Sequence, residues 1–355
     1  MRLVTFQPGL AKPRLGVLDG DAVVEPGPVL RADEQLRNGA AAVERAPAVA
    51  DEMVAFFESG GAGQGNAQRA LDVSRTHRES GNRLVDGEGD PVVHEIGDVR
   101  LLAPVPRPRR VRDYFTYAGH ATGAGWEVPP AFEAMPICYK CNSETIIGPD
   151  EPLLWPSYTD QLDFELELGF FTSAGGRDLT PIEAQGRIAG VTIFNDVSAR
   201  DIQVFEMSFS LGPSKGKDFC TAMGPCVLTM DEVDEWSVEM SARVNDELWA
   251  SGTTAQRQFS FAEVLAWASL DEDVYPGEFF AVGTVSGCCG FELERWIQPG
   301  DVVELEASGI GVLRNPVGAK QVHRDGAGVA SYQGSPAVHL EFGPPSYTSE
   351  LDSTT

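Results

Sequence analysis

The segment LDFELELGFF places Asp163, Glu165 and Glu167 in alternation with Phe164, Leu166, Leu168 and Phe170. A period of two reads as a β-strand. It puts the three carboxylates on one face, with successive same-face positions about 7 Å apart. Acidic residues are poor strand formers, and stacked like charges weaken a sheet. A solvated strand face therefore explains the pattern less well than carboxylates converging on a bridging cation.

Strand-like runs surround this segment at Cys138–Ile147, Arg187–Asn195, Met223–Met230, Val238–Val244 and Asp301–Glu306, mostly short, β-branched and bounded by Gly, Pro or Asp. Helical patterns fall at Val197–Ser208 and at Phe261–Leu270, the latter behind Ser260 as an N-cap. Upstream, Met1–Val24 is a small β unit with a hairpin signal at Asp19-Gly20, and Arg31–Leu71 reads as helix, loop, helix, interrupted at Gly60–Gly65. The proline-rich VPRPRR at Val105–Arg110 marks a connection. A chain of 355 residues, at roughly 150 per domain, holds about two units. The expected division is an N-terminal domain at 1–104, a catalytic domain at 105–340 and a flexible tail at 341–355 ending in SELDSTT.

A formal net charge of −26 repels nucleic-acid phosphates and anionic lipid, so neither is an expected partner. An anionic substrate must instead meet a local positive site made by a few Arg and Lys residues or by a cation. The start MRLVTFQPGL lacks the apolar core of a secretory signal, and no run of about 18 apolar residues is present, which places the chain in the cytoplasm. There the six cysteines stay thiols. Cys138 and Cys141 form a C-x-x-C, but no second pair completes a zinc site, so buried or incidental thiols are the better reading.

Three further stretches carry candidate chemistry. In VTIFNDVSARDIQVFE a strand runs into Asp196, and Arg200 and Gln203 follow three residues apart on one helix face. Read alone, Asn-Asp serves equally as a helix cap and Arg200 as an ordinary ion-pair partner. LGPSKGKDFCTAMGP brings Lys215, Lys217 and Thr221 together without the spacing of a P-loop, so nucleotide binding has no support. In DYFTYAGHA, Asp113 and His120 lie in an aromatic stretch. His77 and His94 sit in polar surroundings, and His323 and His339 belong to the C-terminal segment, leaving His120 as the best candidate base, with a structural histidine as the alternative.

Taken in order, the motifs resemble the fumarylacetoacetate hydrolase family. They are Asp113 with His120, P-x-x-Y-K at Pro136–Lys140, D-x-E-x-E at Asp163–Glu167, NDVSARDIQ at Asn195–Gln203, LGPSKGKDF at Leu211–Phe219, GTVSG at Gly283–Gly287, and QPGDVVELEASGIGVLRNPVG at Gln298–Gly318. The resemblance implies a β-rich α+β fold, with a mixed β-sandwich or roll as catalytic domain and a smaller N-terminal α+β domain. It implies Glu165, Glu167 and Asp196 as metal ligands, with Asp113 as a fourth. The expected ion is Mg²⁺, with Mn²⁺ or Ca²⁺ as alternatives for oxygen ligands. His120 matches the family's water-activating histidine, with Glu292 or, less favoured, Glu294 as its carboxylate partner. Lys217, Arg200, Gln203 and Tyr139 match positions that contact substrate oxygens, and Thr284 matches one that holds a carboxylate.

The implied reaction is metal-dependent hydrolysis of a carbon–carbon bond in a 1,3-dicarbonyl acid such as an acylpyruvate, by a homodimer acting on a small oxoacid. Alternatives are a 2-oxoacid decarboxylase or 2-keto-3-deoxy sugar acid dehydratase on the same scaffold, and a metal-binding protein without catalysis. Phe115, Val197 and Asp218 depart from the tyrosine, tryptophan and serine of fumarylacetoacetases, so the substrate pocket differs. Shorter relatives often carry a glutamate three residues after the histidine. Gly123 stands there in this chain, which favours a partner for His120 from a distant segment.

Overall fold

A computed structural model describes residues 1–125, 127–208 and 211–328. The expected tail at 341–355, His339 and the last residues of the 105–340 unit lie outside the described residues.

The chain opens with β1 (Arg2–Pro8), β2 (Arg14–Asp19) and β3 (Ala22–Val24), the last two joined across Gly20 as the hairpin signal predicts. Helix α1 (Pro26–Asn38) begins on a proline, whose missing N–H costs nothing in the first turn. In α2 (Met53–Glu79) the expected glycine-rich break is a kink at Gly60 alone, with φ 55° and ψ −142°. The other glycines of that run stay helical. Strands β4 (Val93–Glu95), β5 (Val99–Leu102) and β6 (Val111–Phe115) follow, then α3 (Ala118–Gly123), α4 (Ala131–Ala134) and β7 (Ile137–Cys141).

Next come β8 (Ile146–Ile147), β9 (Leu153–Trp155), β10 (Leu162–Asp163), β11 (Glu165–Thr172), α5 (Pro181–Gln185) and β12 (Ile188–Asn195). After β13 (Ser198–Ala199), α6 (Arg200–Met207) starts three residues later than the sequence pattern predicts, because Ser198 and Ala199 pair with Asp163 and Leu162. Then follow β14 (Thr221–Thr229), β15 (Glu239–Val244) and β16 (Glu247–Thr253). Helix α7 (Phe261–Ser269) starts at Ser260 through a capping box with Glu263. The chain ends through β17 (Phe279–Cys289), α8 (Gly290–Leu293), β18 (Val302–Ala307) and β19 (Gly311–Lys320). Among the described residues no helix is long and apolar enough to cross a membrane.

The strands form a mixed, strand-rich α+β fold. A large sheet runs β4-β3-β2-β1-β14-β12-β11-β17-β6-β7, and a smaller one runs β16-β15-β18-β19-β9. Strand β1 pairs antiparallel with β14, so the opening residues continue the sheet that carries the acidic strand. Both β11 and β12 are buried along their whole length. On one face of β11, Leu166, Leu168 and Phe170 pack with Leu305 and Leu313 of the smaller sheet and with Phe261 of α7. On the other, Phe171 packs with Phe57 of α2 and Phe279 of β17. Glu165 and Glu167 share this second face by alternation. One end of the face is core, and the other is acidic.

Candidate active site

The acidic end of β11 lies at the centre of the large sheet. Asp113 on β6, Glu165 and Glu167 on β11, and Asp196 just after β12 each offer a carboxylate oxygen within 4.8 Å of the others, and all four residues are buried. Irregular register between β11 and β17 at Glu165 and Glu167 bends the ladder where these acids sit.

Two buried cations, Lys217 and Arg200, meet these acids. Lys217 Nζ donates to Glu165 Oε2 at 2.6 Å and contacts Asp196 Oδ2. Arg200 contacts Glu165 Oε1 at 2.7 Å, donates through Nε to Asp163 Oδ2 at 2.8 Å and through its first terminal nitrogen to Gln203 Oε1 at 2.9 Å. Tyr139 donates its hydroxyl to Asp196 Oδ2, and Thr284 donates to Glu167 Oε1 at 3.0 Å.

Burial raises the carboxyl pKa values of Asp113, Glu167 and Asp196, and the neighbouring acids raise them further. Burial pushes Glu165 the same way, but Arg200, Lys217 and His120 outweigh it and hold this carboxyl well below the usual range. For Lys217 the burial cost is outweighed by Asp196 and Glu165, so its ammonium stays charged above the ordinary lysine range.

Three buried oxygens, Asp113 Oδ1, Glu167 Oε2 and Asp196 Oδ1, have no hydrogen-bond partner among the described residues. Buried polar atoms are nearly always satisfied. Three unpaired carboxylate oxygens, converging beside Glu165, fit a hard divalent cation bound through oxygen, such as Mg²⁺, Mn²⁺ or Ca²⁺.

Beside this nest, His120 on α3 lies with Nδ1 2.9 Å from Glu292 Oε2 and Nε2 3.7 Å from Glu165 Oε1. Glu292, on α8, is the acid against the histidine, whereas Glu294 ends that helix in a left-handed conformation, φ 53°. The Glu292 carboxylate also accepts from the Gly287 N–H at 2.9 Å and the Cys289 thiol at 3.1 Å. At Gly123 an added Cβ would stand 2.4 Å from Glu292 Oε1, so the absence of a side chain there makes room for the distant carboxylate. Phe115, one of the departures noted above, packs its ring 5.6 Å from His120.

Asp163 was expected on the same face as Glu165 and Glu167, but the strand is interrupted at Phe164. Its carboxylate turns to accept from the Gly290 N–H at 2.7 Å and the Phe291 N–H at 2.9 Å as well as from Arg200. It thus anchors the arginine and the start of α8 instead of joining the nest. Gly290 allows this approach, since a Cβ there would meet Asp163 Oδ1 at 2.4 Å. Cys289 gave no sequence signal beyond being a cysteine; it caps the start of α8, whose first turn brings its thiol to Glu292 three residues on. Cys138 and Cys141 lie three apart on β7, so they face opposite sides of the strand, and Cys138 is exposed rather than buried.

The family model for the fumarylacetoacetate (FAA) hydrolase C-terminal region matches residues 110–318, which include every residue of the nest and of the His120 pair. The chain belongs to the fumarylacetoacetate hydrolase family. Relatives of this enzyme family include a mitochondrial oxaloacetate tautomerase of Bos taurus, 31% identical over 323 residues that cover 89% of this chain and 91% of the relative. The solved fumarylacetoacetate hydrolase of Exiguobacterium antarcticum superposes with a TM-score of 0.64 at 26% identity, covering 90% of this chain and all of that one. A maleylpyruvate hydrolase from Sphingobium, solved with manganese(II) and pyruvate, shares the fold at a TM-score of 0.62 and 21% identity, over 90% of this chain and 100% of that one.

Proposed function

We propose that this fumarylacetoacetate hydrolase family member is a divalent-metal-dependent hydrolase that cleaves a carbon–carbon bond in an acylpyruvate or fumarylacetoacetate-like 1,3-dicarbonyl acid. The observation that carries the reading is the His120–Glu292 pair standing beside four converging carboxylates. Asp113, Glu165, Glu167 and Asp196 would hold the ion, with Mg²⁺ as first choice and Mn²⁺, present in the maleylpyruvate hydrolase relative, or Ca²⁺ as alternatives. Such an ion supplies Lewis-acid stabilisation to the enolate released when the bond breaks.

The remaining work falls to the chain. With Nδ1–H donated to Glu292, the imidazole presents Nε2 as the basic nitrogen, takes a proton from the water that attacks the carbonyl and returns it to the enolate carbon once the carbon–carbon bond has broken. Lys217 and Arg200 stabilise the oxyanion and the substrate carboxylate, which a protein of net charge −26 must otherwise repel. Gln203, Tyr139 and Thr284 contact the substrate's other oxygens.

The name of the bovine relative favours a second reading, oxaloacetate tautomerisation, which moves a proton between carbon and oxygen without breaking a carbon–carbon bond. Turnover of acetylpyruvate and of oxaloacetate in ¹⁸O-labelled water separates the two. Hydrolysis puts the label into a new carboxylate, whereas accelerated keto–enol interconversion of oxaloacetate with no labelled acid from acetylpyruvate overturns the hydrolase reading. His120→Ala should keep metal affinity and lose about 10² to 10⁴ in turnover, and near-normal turnover would make His120 structural.

The proposal extends to a homodimer acting in the cytoplasm on a small oxoacid, with no nucleic-acid or membrane partner, and to a division into units 1–104 and 105–340. Exposed Met135, Ile137, Phe205, Met207 and Leu211 supply apolar surface for pairing. Light scattering of fully active enzyme at the 38.2 kDa of one chain would overturn the dimer.

A further inference from the structure

Helix α6 carries Arg200, Gln203 and Glu206, each three residues from the next, so that successive members are neighbours on its surface. Arg200 and Gln203 belong to the site. Glu206, half-buried near the end of the helix, turns its carboxylate to the loop that carries Lys217. Its Oε1 accepts from the Ser214 N–H at 2.7 Å and the Gly216 N–H at 2.9 Å, and its Oε2 accepts from the Lys215 N–H at 3.0 Å. Three successive backbone donors thus close on one side chain, in the manner of a concave anion site made of main-chain N–H groups.

The carbonyls of the same loop are held by other partners. Ser214 O accepts from the N–H groups of Lys217 at 2.9 Å and Asp218 at 2.7 Å, and Gly216 O accepts from the Ala199 N–H at 2.8 Å. Lys215 O accepts from the Tyr158 hydroxyl at 2.8 Å. At Gly216 an added Cβ would stand 2.6 Å from Gln203 Cα, so the loop lies directly on α6. The carbonyls therefore have several anchors, whereas the N–H groups of 214, 215 and 216 share one.

Lys217 follows immediately, with its ammonium buried between Glu165 and Asp196. A lysine stem has many rotamers, and its head meets a fixed point reliably only when the backbone beneath it is fixed. The two acids that receive it are also candidate metal ligands, so their charge is shared. Backbone anchoring is the part of Lys217's placement that does not depend on them.

We propose that Glu206 is a positioning residue for the reaction: its carboxylate fixes the main chain at 214–216 and thereby sets where the Lys217 ammonium meets substrate oxygens. The inference rests on the role given to Lys217 above and adds a residue that touches neither substrate nor metal ligand.

The test uses the metal-loaded full chain and whichever of acetylpyruvate and oxaloacetate the wild type turns over. Glu206→Ala should lower turnover per folded molecule about 10- to 100-fold, the penalty of a misplacement near 1 Å. Glu206→Gln, which keeps one carbonyl oxygen for the loop, should fall between it and the wild type. Backbone amide exchange, read by mass spectrometry, should rise about tenfold in Glu206→Ala over residues 211–220 and stay unchanged in β11 and β12. On a Lys217→Met background, Glu206→Ala should cost less than about twofold, because the group it acts through is gone. Wild-type turnover in Glu206→Ala, wild-type exchange over 211–220, or a loss that adds in full to that of Lys217→Met overturns the proposal alone. Wild-type turnover in Lys217→Met overturns the role given to Lys217 and this proposal with it.

Discussion

Neighbouring residues of β6 open onto two charge clusters built on opposite terms, one with a buried pair and two half-exposed members, the other wholly buried. Arg112 faces one, where it and Arg110 meet Glu278 and Glu272, two bases against two acids, with Arg112 3.1 Å from the fully buried Glu278. Asp113 faces the other, where Asp113, Asp163, Glu165, Glu167 and Asp196 are set against Arg200 and Lys217, five acids against two bases. The first balances itself. The second carries an excess of negative charge that the protein does not neutralise, in a place where desolvation makes that excess costly. Burial alone therefore does not mark a functional site. Burial without compensation does, and it points to a charge that must come from outside the chain.

The largest effect expected from disturbing this contrast is in the unbalanced cluster. Glu165→Gln or Asp196→Asn removes an anionic oxygen from the nest and, for Glu165, the shared partner of Arg200 and Lys217. Activity should vanish and affinity for Mg²⁺ or Mn²⁺ should fall by about 10²-fold or more. A calorimetric titration showing wild-type affinity in both variants would sink the metal reading.

In the balanced cluster the loss should be of stability. Arg112→Met leaves Glu278 buried beside one remaining arginine, at a cost of about 3–5 kcal/mol in urea unfolding, with turnover per folded molecule kept. A further Glu278→Leu should recover most of that loss. Turnover that falls while stability holds would show that this cluster is not merely structural.

The smallest effect distinguishes the clusters by pH. Asp113 and Glu167 have folded pKa values raised by burial and then by neighbouring acids. Their contribution to stability is fully present below the unfolded carboxylate value of about 4 and is lost as pH rises through the raised folded value. Glu165, shifted the other way, loses its contribution only in strong acid. In chelator, the melting temperature should therefore fall as pH rises from about 5 to 8, and saturating Mg²⁺ should flatten the curve. A metal-free curve that rises over this window would contradict the excess charge.

The sequence made much of the site legible, because alternation in LDFELELGFF exposes a chemical oddity that no ordinary strand explains. The same alternation misplaced Asp163. Its strand is broken by pairing of β10 with β13, a tertiary contact that leaves no local period. Strand β17, with Thr284 and the approach to Glu292, was absent from the strand pattern because FFAVGTVSGCC is a nearly continuous apolar run with glycines. The histidine was identified by elimination and its partner by resemblance, whereas the 2.9 Å contact to Glu292 depends on α3 and α8 meeting across the fold. The pairing of β1 with β14 was likewise invisible, since antiparallel partners this distant in sequence share no local signal.

The volume that a side chain at 123 would fill is the volume that the Glu292 carboxylate occupies. A glutamate introduced at 123 to imitate the His-x-x-Glu relatives would not add a second acid to His120; it would evict the first. The two arrangements compete for one space beside His120. Gly123→Glu alone should therefore displace the Glu292 carboxylate, so the effects of substitutions at 123 and 292 on turnover should not add, although the two positions are far apart in sequence.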